Sequence, residues 1–137
     1  SNQYHPKTMQ AMPARSYELA SKSARESVGV LAYLMNWPNQ SPGVVNAITA
    51  GIAWYEKNNV KDLVLDKGVY SQKLGANFWY RFYELDTDIP FFAGRDGIKQ
   101  FDIAKIEEER RNGYSWGDDY ASKLLQAVTN YLLSLNK

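Results

Sequence analysis

The stretch NFWYRFYE, residues 77–84, is rich in aromatic residues, and aromatic residues favour β-strands. Successive side chains of a strand point to opposite faces. We therefore expect the two faces of this strand to carry the following side chains: Phe78, Tyr80 and Phe82 on one, and Trp79, Arg81 and Tyr83 on the other. An apolar run at residues 63–65 predicts a second strand. Together the two runs indicate a small antiparallel β element.

Helical signals precede this β element. Ser23-Ala24-Arg25-Glu26 has the pattern of a capping box, in which the serine hydroxyl accepts from the Glu26 amide, and it predicts a helix to about Asn36. Ser41-Pro42 is an N-cap followed by proline at the first helical position, which predicts a second helix to about Asn58. The short connection favours an antiparallel pair.

Helical signals also follow the β element. Asp102 is expected to cap a short helix, and a last helix is expected to run from about Asp118 to about Leu135. Gly94-Arg95-Asp96-Gly97 predicts a turn between them and the strands. The prediction is one domain over residues 1–137, mainly α with a small antiparallel β element. Its parts are an irregular lead-in, a helical pair, a β-rich and loop region, and helices: residues 1–22, 23–58, 61–101 and 102–137.

Composition excludes several classes of function. The 137 residues include no cysteine, which removes disulfides and cysteine nucleophiles, and the net charge of +1 predicts no nucleic-acid partner. No apolar run is long enough to span a membrane, and no signal peptide opens the chain. His5 is the single histidine and has no serine or cysteine partner at a recognisable spacing, so a serine hydrolase is not expected.

Three arginines stand beside aromatic or glycine residues: Arg15, Arg81 and Arg95. A planar guanidinium donates two parallel hydrogen bonds to a carboxylate, which suits a uronic acid polymer, and nearby aromatic faces suit the apolar face of a sugar. From the residues alone a structural role is favoured for each arginine. Arg81 could pair with Glu84 or stack on Tyr83, and Arg95 could pair with a neighbouring carboxylate.

The acidic residues offer a weaker signal. The pairs Asp86 with Asp88 and Asp118 with Asp119 contain oxygen ligands of the kind that hard cations prefer, but neither has the spacing of an EF-hand. Asp118 and Asp119 fit better as the start of a helix. The charged run at residues 107–111 is interpreted as a solvated helix face. No metal-ligand residue is assigned.

Several motifs resemble, in order, the C-terminal part of the family-10 polysaccharide lyases, which are pectate lyases with a helical toroid-like fold. The matching stretches, in single-letter code, are HPKT at residues 5–8, ARSYEL at 14–19, ESVGV at 26–30, AWYEK at 53–57, WYRFYEL at 79–85, PFFAGRDG at 90–97, IE at 106–107 and ERRNGYSW at 109–116. The resemblance covers residues 3–116 and implies a partial helical-toroid (α/α) fold.

The resemblance implies a pectate lyase that cleaves polygalacturonate by calcium-assisted β-elimination, giving 4,5-unsaturated oligogalacturonates. By position, Arg15 resembles the family's Brønsted base, while Arg81, Arg95 and Tyr83 are expected to bind substrate. Calcium is the implied cofactor. Because pectin lies outside the cell, a secreted, periplasmic or cell-surface location is expected.

The chain also departs from the family pattern. The family's calcium-binding aspartates lie upstream of the matched region and have no counterpart here, so activity is expected to be reduced. One alternative is a non-catalytic fragment that only binds polygalacturonate, and a weaker one is a structural fragment with ordinary surface arginines. The last helix extends beyond the matched region, which predicts self-association through it.

Overall fold

The computed structural model describes the backbone of two short strands, β1 (Gln3–Tyr4) and β2 (Ala11–Met12), and all residues from 21 to 136. The two strands pair antiparallel, with Gln3 opposite Met12. Most of the predicted lead-in, residues 1–22, therefore lies outside the described residues. The same is true of Arg15 and His5.

The predicted helical pair is confirmed. Helix α1 spans Ala24–Met35 and helix α2 spans Pro42–Asn58. The Ser41 hydroxyl accepts a hydrogen bond from the Val44 N–H at 3.3 Å, as expected of an N-cap residue. The helices approach closely, since a Cβ built at Gly51 would lie 2.7 Å from a methyl carbon of Leu31.

A long β-hairpin follows the helices. Strand β4 (Val60–Asp66) pairs antiparallel with strand β5 (Val69–Tyr80). Lys67 and Gly68 join them with φ angles of +47° and +78°, and two positive φ angles are what a two-residue hairpin turn of the right twist requires. Strand β9 (Gly117–Asp118) pairs on the other side of β5, giving the strand order β4-β5-β9.

Further strand pairs connect distant parts of the chain. Strand β3 (Lys22–Ser23) pairs with β6 (Phe82–Tyr83), and β7 (Phe92–Ala93) pairs with β8 (Lys99–Gln100), all antiparallel. The prediction of a mainly α domain with a small β element is therefore wrong. Several of these pairs join segments that are distant in sequence, such as β3 with β6 and β5 with β9, and local periodicity does not reveal such pairing.

Residues 102–136 form more and shorter helical segments than the two helices expected. A 3₁₀ turn (Ile103–Lys105) is capped by Asp102 as predicted, with the Asp102 carboxylate accepting from the Ala104 N–H at 3.0 Å. The remaining helices are α3 (Glu108–Gly113), α4 (Ser122–Gln126) and α5 (Val128–Ser134).

The single last helix predicted from Asp118 is wrong on two points. Asp118 belongs to β9, where it lies opposite Trp79, and the helix begins only at Ser122. The Asp119 carboxylate accepts from the Ser122 N–H at 3.2 Å, so one of the two aspartates does act at the helix start. Ala127 then separates α4 from α5.

Strands β5 and β6 lie between two core clusters. The predicted alternation is followed only in part, because Tyr80 packs against both clusters and Arg81 lies over the ring of Phe82, which was expected on the opposite face. Trp79 and Tyr83 pack with Leu31 and Tyr55 of the helical pair. On the other side, Phe82 packs against a second cluster. That cluster contains Phe92, Ile103, Ile106 and Trp116. In the described part of the chain, no helix is both long and apolar enough to cross a bilayer.

Candidate functional site

Arg81 lies between β5 and β6, and both its backbone N–H and its backbone carbonyl form hydrogen bonds. Its N–H donates to the Trp116 carbonyl at 2.9 Å, and its carbonyl accepts from the Ala24 N–H at 2.8 Å. These bonds place the guanidinium beside the first turn of α1, where its Nη2 donates to the Glu26 carboxylate at 2.9 Å. The Arg81 side chain is 11% exposed and the Glu26 side chain is 31% exposed, so this ion pair is partly buried.

Glu26 is held by two donors. The Ser23 hydroxyl donates to one carboxylate oxygen and Arg81 donates to the other. The predicted capping box is therefore altered, because Ser23 makes no side-chain bond to the helix amides. Burial raises the pKa of Glu26, but the Ser23 hydrogen bond and the Arg81 charge outweigh it, and the pKa is lowered from its ordinary value of 4.5.

Tyr114 lies between two arginines. The guanidinium carbon of Arg81 is 4.3 Å from the Tyr114 ring centroid, and that of Arg110 is 5.0 Å from it. Arg110 also lies 5.5 Å from the Trp116 ring. Guanidinium groups at these distances are attracted by the ring faces. The Nε atoms of both arginines are buried and have no hydrogen-bond partner among residues 21–136.

A third arginine acts on the same ring. Burial raises the pKa of Tyr114, and the charges of Arg81, Arg110 and the exposed Arg25 oppose that increase. Glu26 is the carboxylate that contributes to the same shift. We name Arg25, Arg81, Arg110 and Tyr114 the arginine cluster. Arg81 and Arg110 thus lie against the face of Tyr114, with Glu26 paired to Arg81.

Arg95 lies in a different setting, at the turn of the β7–β8 hairpin. The Gly97 N–H donates to the Gly94 carbonyl at 3.1 Å, which confirms the predicted turn. The Glu107 carboxylate accepts from the Arg95 N–H at 3.2 Å. A Cβ at Gly94 would lie 2.7 Å from that carboxylate, so glycine is what allows the close approach. The Arg95 guanidinium pairs with Glu109, and both side chains are mostly exposed, at 68% and 60%.

The cluster and the turn belong to one network. Arg110 Nη2 donates to the Ala93 carbonyl at 3.3 Å, and Ala93 leads directly into the turn at Gly94. Glu109, the partner of Arg95, is the neighbour of Arg110 on α3. The structure therefore brings the surroundings of Arg81 and Arg95 together through Arg110.

Tyr83 has a different position from that predicted for a substrate contact. It is 2% exposed, its hydroxyl accepts from the Tyr80 N–H at 2.8 Å, and its ring packs edge-on against Trp54 at 4.8 Å. Burial raises its pKa. The Tyr83 side chain thus lies in the core, where its hydroxyl binds the backbone N–H of Tyr80, the residue before Arg81. A direct role in binding a sugar stays a prediction.

The structural partners proposed for Arg81 from sequence are wrong. Glu84 pairs with Lys99 at 3.1 Å, so the partner of Arg81 is Glu26, and the ring that Arg81 stacks on is Tyr114 rather than Tyr83. The sequence interpretation also missed Arg110, which it assigned to a solvated helix face. The available signal was the pair of aromatic residues a few positions later, Tyr114 and Trp116, which become its neighbours once α3 ends at Gly113.

The described carboxylates do not form a metal site. Among residues 21–136 no group of three or more histidine or acidic side chains has the geometry to hold a metal ion. Asp88, one of the candidates, accepts from Lys22 Nζ at 2.7 Å and from Trp54 Nε1 at 3.0 Å. These bonds lower its pKa against the opposing effect of burial. Its carboxylate therefore serves the structure.

A planar guanidinium stacked on an aromatic ring has a donor geometry that suits a carboxylate. Comparison with known proteins identifies the family. The family described as pectic acid lyase matches residues 1–125, and the chain belongs to this family.

Solved structures agree with this assignment. A family 10 polysaccharide lyase from Cellvibrio cellulosa is 39% identical, with a TM-score of 0.78 over 86% of this chain and 38% of its own. A point mutant of that enzyme, solved in complex with trigalacturonic acid, has the same identity and TM-score over 86% of this chain and 39% of its own. The chain thus spans under two fifths of these relatives. No curated protein matches the chain by sequence.

Proposed function

We propose that this chain acts on polygalacturonate as a pectate lyase and releases 4,5-unsaturated oligogalacturonates. The observation that carries the proposal is the arginine cluster. Arg81 and Arg110 flank Tyr114 and carry buried Nε atoms without partners among residues 21–136. Membership of the pectic acid lyase family supports the choice of a polyuronide as the anionic ligand.

The proposed chemistry uses the guanidinium groups as electrostatic partners of the substrate. A base removes the proton on C5 of a galacturonate, and the charge that develops spreads onto its carboxylate. The C4–O bond then breaks, leaving a double bond between C4 and C5 and a protonated leaving group. Fixed cations aimed at that carboxylate stabilise the charge where it develops, which is usually the largest catalytic effect.

Three arginines have distinct roles in this proposal. Arg15 is the base, assigned by its place in the family pattern, and it lies outside the described residues. Arg95 is exposed and its partner Glu109 is equally exposed, so its guanidinium is free to exchange that partner for a substrate carboxylate at little cost. Arg81 is held by Glu26 and acts mainly by fixing the positive charge of the cluster.

Calcium does not fit the residues that the structure describes. The carboxylates nearest the cluster and the turn, Glu26, Glu107 and Glu109, each have an arginine or amide partner. We therefore derive no step through calcium. A calcium requirement stays a prediction, and its ligands would come from the substrate or from residues beyond those described.

The experiment is to follow the ultraviolet absorbance of the unsaturated product while the chain is incubated with polygalacturonate at alkaline pH. Parallel reactions contain calcium or a chelator. If the chain is a pectate lyase, we expect the absorbance to rise. A rise that the chelator abolishes would support a requirement for calcium. If no product forms under either condition, the lyase proposal fails.

A second candidate is a protein that binds polygalacturonate without cleaving it. It is favoured by the exposed guanidinium of Arg95, which can bind a carboxylate whether or not a base acts on the substrate. Affinity electrophoresis in a polygalacturonate gel separates the two. Retardation without product formation supports binding alone.

Two further expectations belong to the proposal. Export to the cell surface or beyond follows from the location of pectin. Self-association through the C-terminal helices is supported by Leu132 and Leu133 on α5, which are 45% and 59% exposed. Light scattering of the purified chain tests this, since a monomer at all concentrations would contradict self-association.

A further inference from the structure

Two aromatic side chains at the C-terminal end of α1 are exposed and touch each other. Tyr33 is 62% exposed and Trp37 is 43% exposed, and their ring centroids lie 5.4 Å apart with an interplanar angle of 41°. Ten large apolar side chains are exposed in residues 21–136, and Tyr33 and Trp37 are two of them whose rings are in contact. An exposed pair of rings in contact is the kind of surface that marks an interaction site.

The aromatic pair is aligned with the arginine cluster. Tyr33 follows Glu26 by seven residues, nearly two full turns of α1, so both residues lie on one face about 10 Å apart along the axis. Glu26 is the residue that holds Arg81. The face therefore begins at the positive charge of the cluster and ends at the two rings.

Gly29 lies between these two ends on the same face. It is exposed, and a Cβ built there would meet no side chain and no other part of the described chain within 4 Å. Packing therefore gives no reason for a glycine, although glycine in a helix interior is less stable than alanine. Because Gly29 has no side chain, the helix backbone is accessible between the cluster and the rings.

We propose that Tyr33 and Trp37 form an additional subsite that stacks on the sugar rings of a polyuronide whose carboxylates bind the arginine cluster. The inference deepens the proposed function and rests on it. A uronic acid polymer presents carboxylates and the apolar faces of its rings along one chain, which matches cations at one end of this face and aromatic rings at the other. Asn36 and Asn39 flank Trp37 in the sequence and are also exposed, and their amide groups suit sugar hydroxyls.

The subsite predicts that affinity depends on the length of the ligand. A single galacturonate held by the arginines does not extend to the rings about 10 Å away, whereas a polymer lies across both. The double substitution Tyr33→Ala, Trp37→Ala is therefore expected to weaken polygalacturonate binding about tenfold in affinity electrophoresis. Binding of monomeric galacturonate, measured by calorimetry, is expected to stay within twofold of the unsubstituted chain.

Two further variants sharpen the test. Leu74→Ala removes an exposed apolar side chain, 80% exposed on β5 and far from α1 in sequence, and serves as the matched control that leaves binding unchanged. Gly29→Leu places a bulky side chain on the accessible backbone between the cluster and the rings. Because leucine is the better helix former, this variant is expected to melt at a higher temperature and to bind the polymer less tightly.

The outcomes separate the subsite from the proposed function. If the unsubstituted chain is not retarded by polygalacturonate at all, the proposed function fails and the subsite fails with it. If the unsubstituted chain binds and the double variant binds equally well, the subsite alone is overturned. It is also overturned if the double variant changes only the oligomeric state, since the rings then serve contact between protein chains.

Discussion

Arg81 and Arg95 look alike in the sequence, yet the fold gives them opposite surroundings. Arg81 is 11% exposed at its side chain, pairs with Glu26 and stacks on Tyr114. Arg95 is 68% exposed and pairs with a carboxylate that is 60% exposed. An ion pair removed from water is costly to break, whereas an exposed pair contributes between zero and about 1 kcal/mol.

Because their surroundings differ, substitutions of Arg81 and Arg95 report on different properties of the protein. A change at Arg81 alters the fold and the charge of the cluster together, so a loss of activity there has two explanations. A change at Arg95 removes a guanidinium from the surface and leaves the core untouched. Substitutions at four residues test this contrast through the free energy of unfolding, and those at Arg81 and Arg95 are expected to have the largest and the smallest effect.

Arg81→Ala is expected to lower the free energy of unfolding by about 3 kcal/mol, because it leaves the partly buried Glu26 carboxylate without its cation and removes a ring contact. Urea denaturation followed by tryptophan fluorescence measures the change. A loss below about 1 kcal/mol would mean that the ion pair is effectively solvated and that the contrast with Arg95 does not hold.

The pH dependence of stability isolates Glu26. Its pKa is lowered in the folded chain, so its contribution is fully present above the ordinary value of 4.5 and is lost as pH falls through the lowered folded-state pKa. Glu26→Gln is expected to cost about 1 kcal/mol at neutral pH and little in strong acid. The free energy of unfolding is measured from pH 7 to pH 3 for the unsubstituted chain and for Glu26→Gln. If the two curves run parallel, Glu26 does not contribute to the pH dependence of stability.

Gly94→Ala tests how the Arg95 turn is built. The added Cβ would lie 2.7 Å from the Glu107 carboxylate, which is the far end of a flexible side chain and is able to move. We expect a stability loss of about 1 kcal/mol, together with altered exchange of the Arg95 amide proton that the carboxylate now accepts from. Hydrogen exchange measured by NMR provides the readout, and an unchanged Arg95 amide would argue against this contact.

Arg95→Ala is expected to leave the free energy of unfolding nearly unchanged, because the lost ion pair is exposed. Arg95→Lys keeps the charge and loses the planar fork, so it serves as the matched control. Both are compared with the unsubstituted chain in the same urea titration. A loss as large as that of Arg81→Ala would remove the distinction between the two arginines.

Local signals predicted the helices well and the sheets poorly. The proline and serine at the start of α2 act on their own neighbours, so the sequence places that end within a residue. The first half of β5 was missed because residues 69–75 are all exposed and show no apolar alternation. Those residues become a strand through pairing with β4, which the Lys67-Gly68 turn makes possible.

The site shows the same division. The turn that presents Arg95 was predicted from its two glycines, which is a local property. The partners of Arg81 were not predicted, because Glu26 lies 55 positions away and Tyr114 belongs to the segment after α3. Arg110 was assigned to solvent because a charged run usually is a solvated face, and only the return of Tyr114 and Trp116 covers it.

The most direct test of the account measures product absorbance with polygalacturonate for the unsubstituted chain and Arg95→Ala, alongside the stability of each. We expect the unsubstituted chain to form unsaturated product and Arg95→Ala to lose at least tenfold in rate while its unfolding free energy is unchanged. If Arg95→Ala keeps full activity, or if the unsubstituted chain forms no product, the assignment of a polygalacturonate lyase site to these arginines is contradicted.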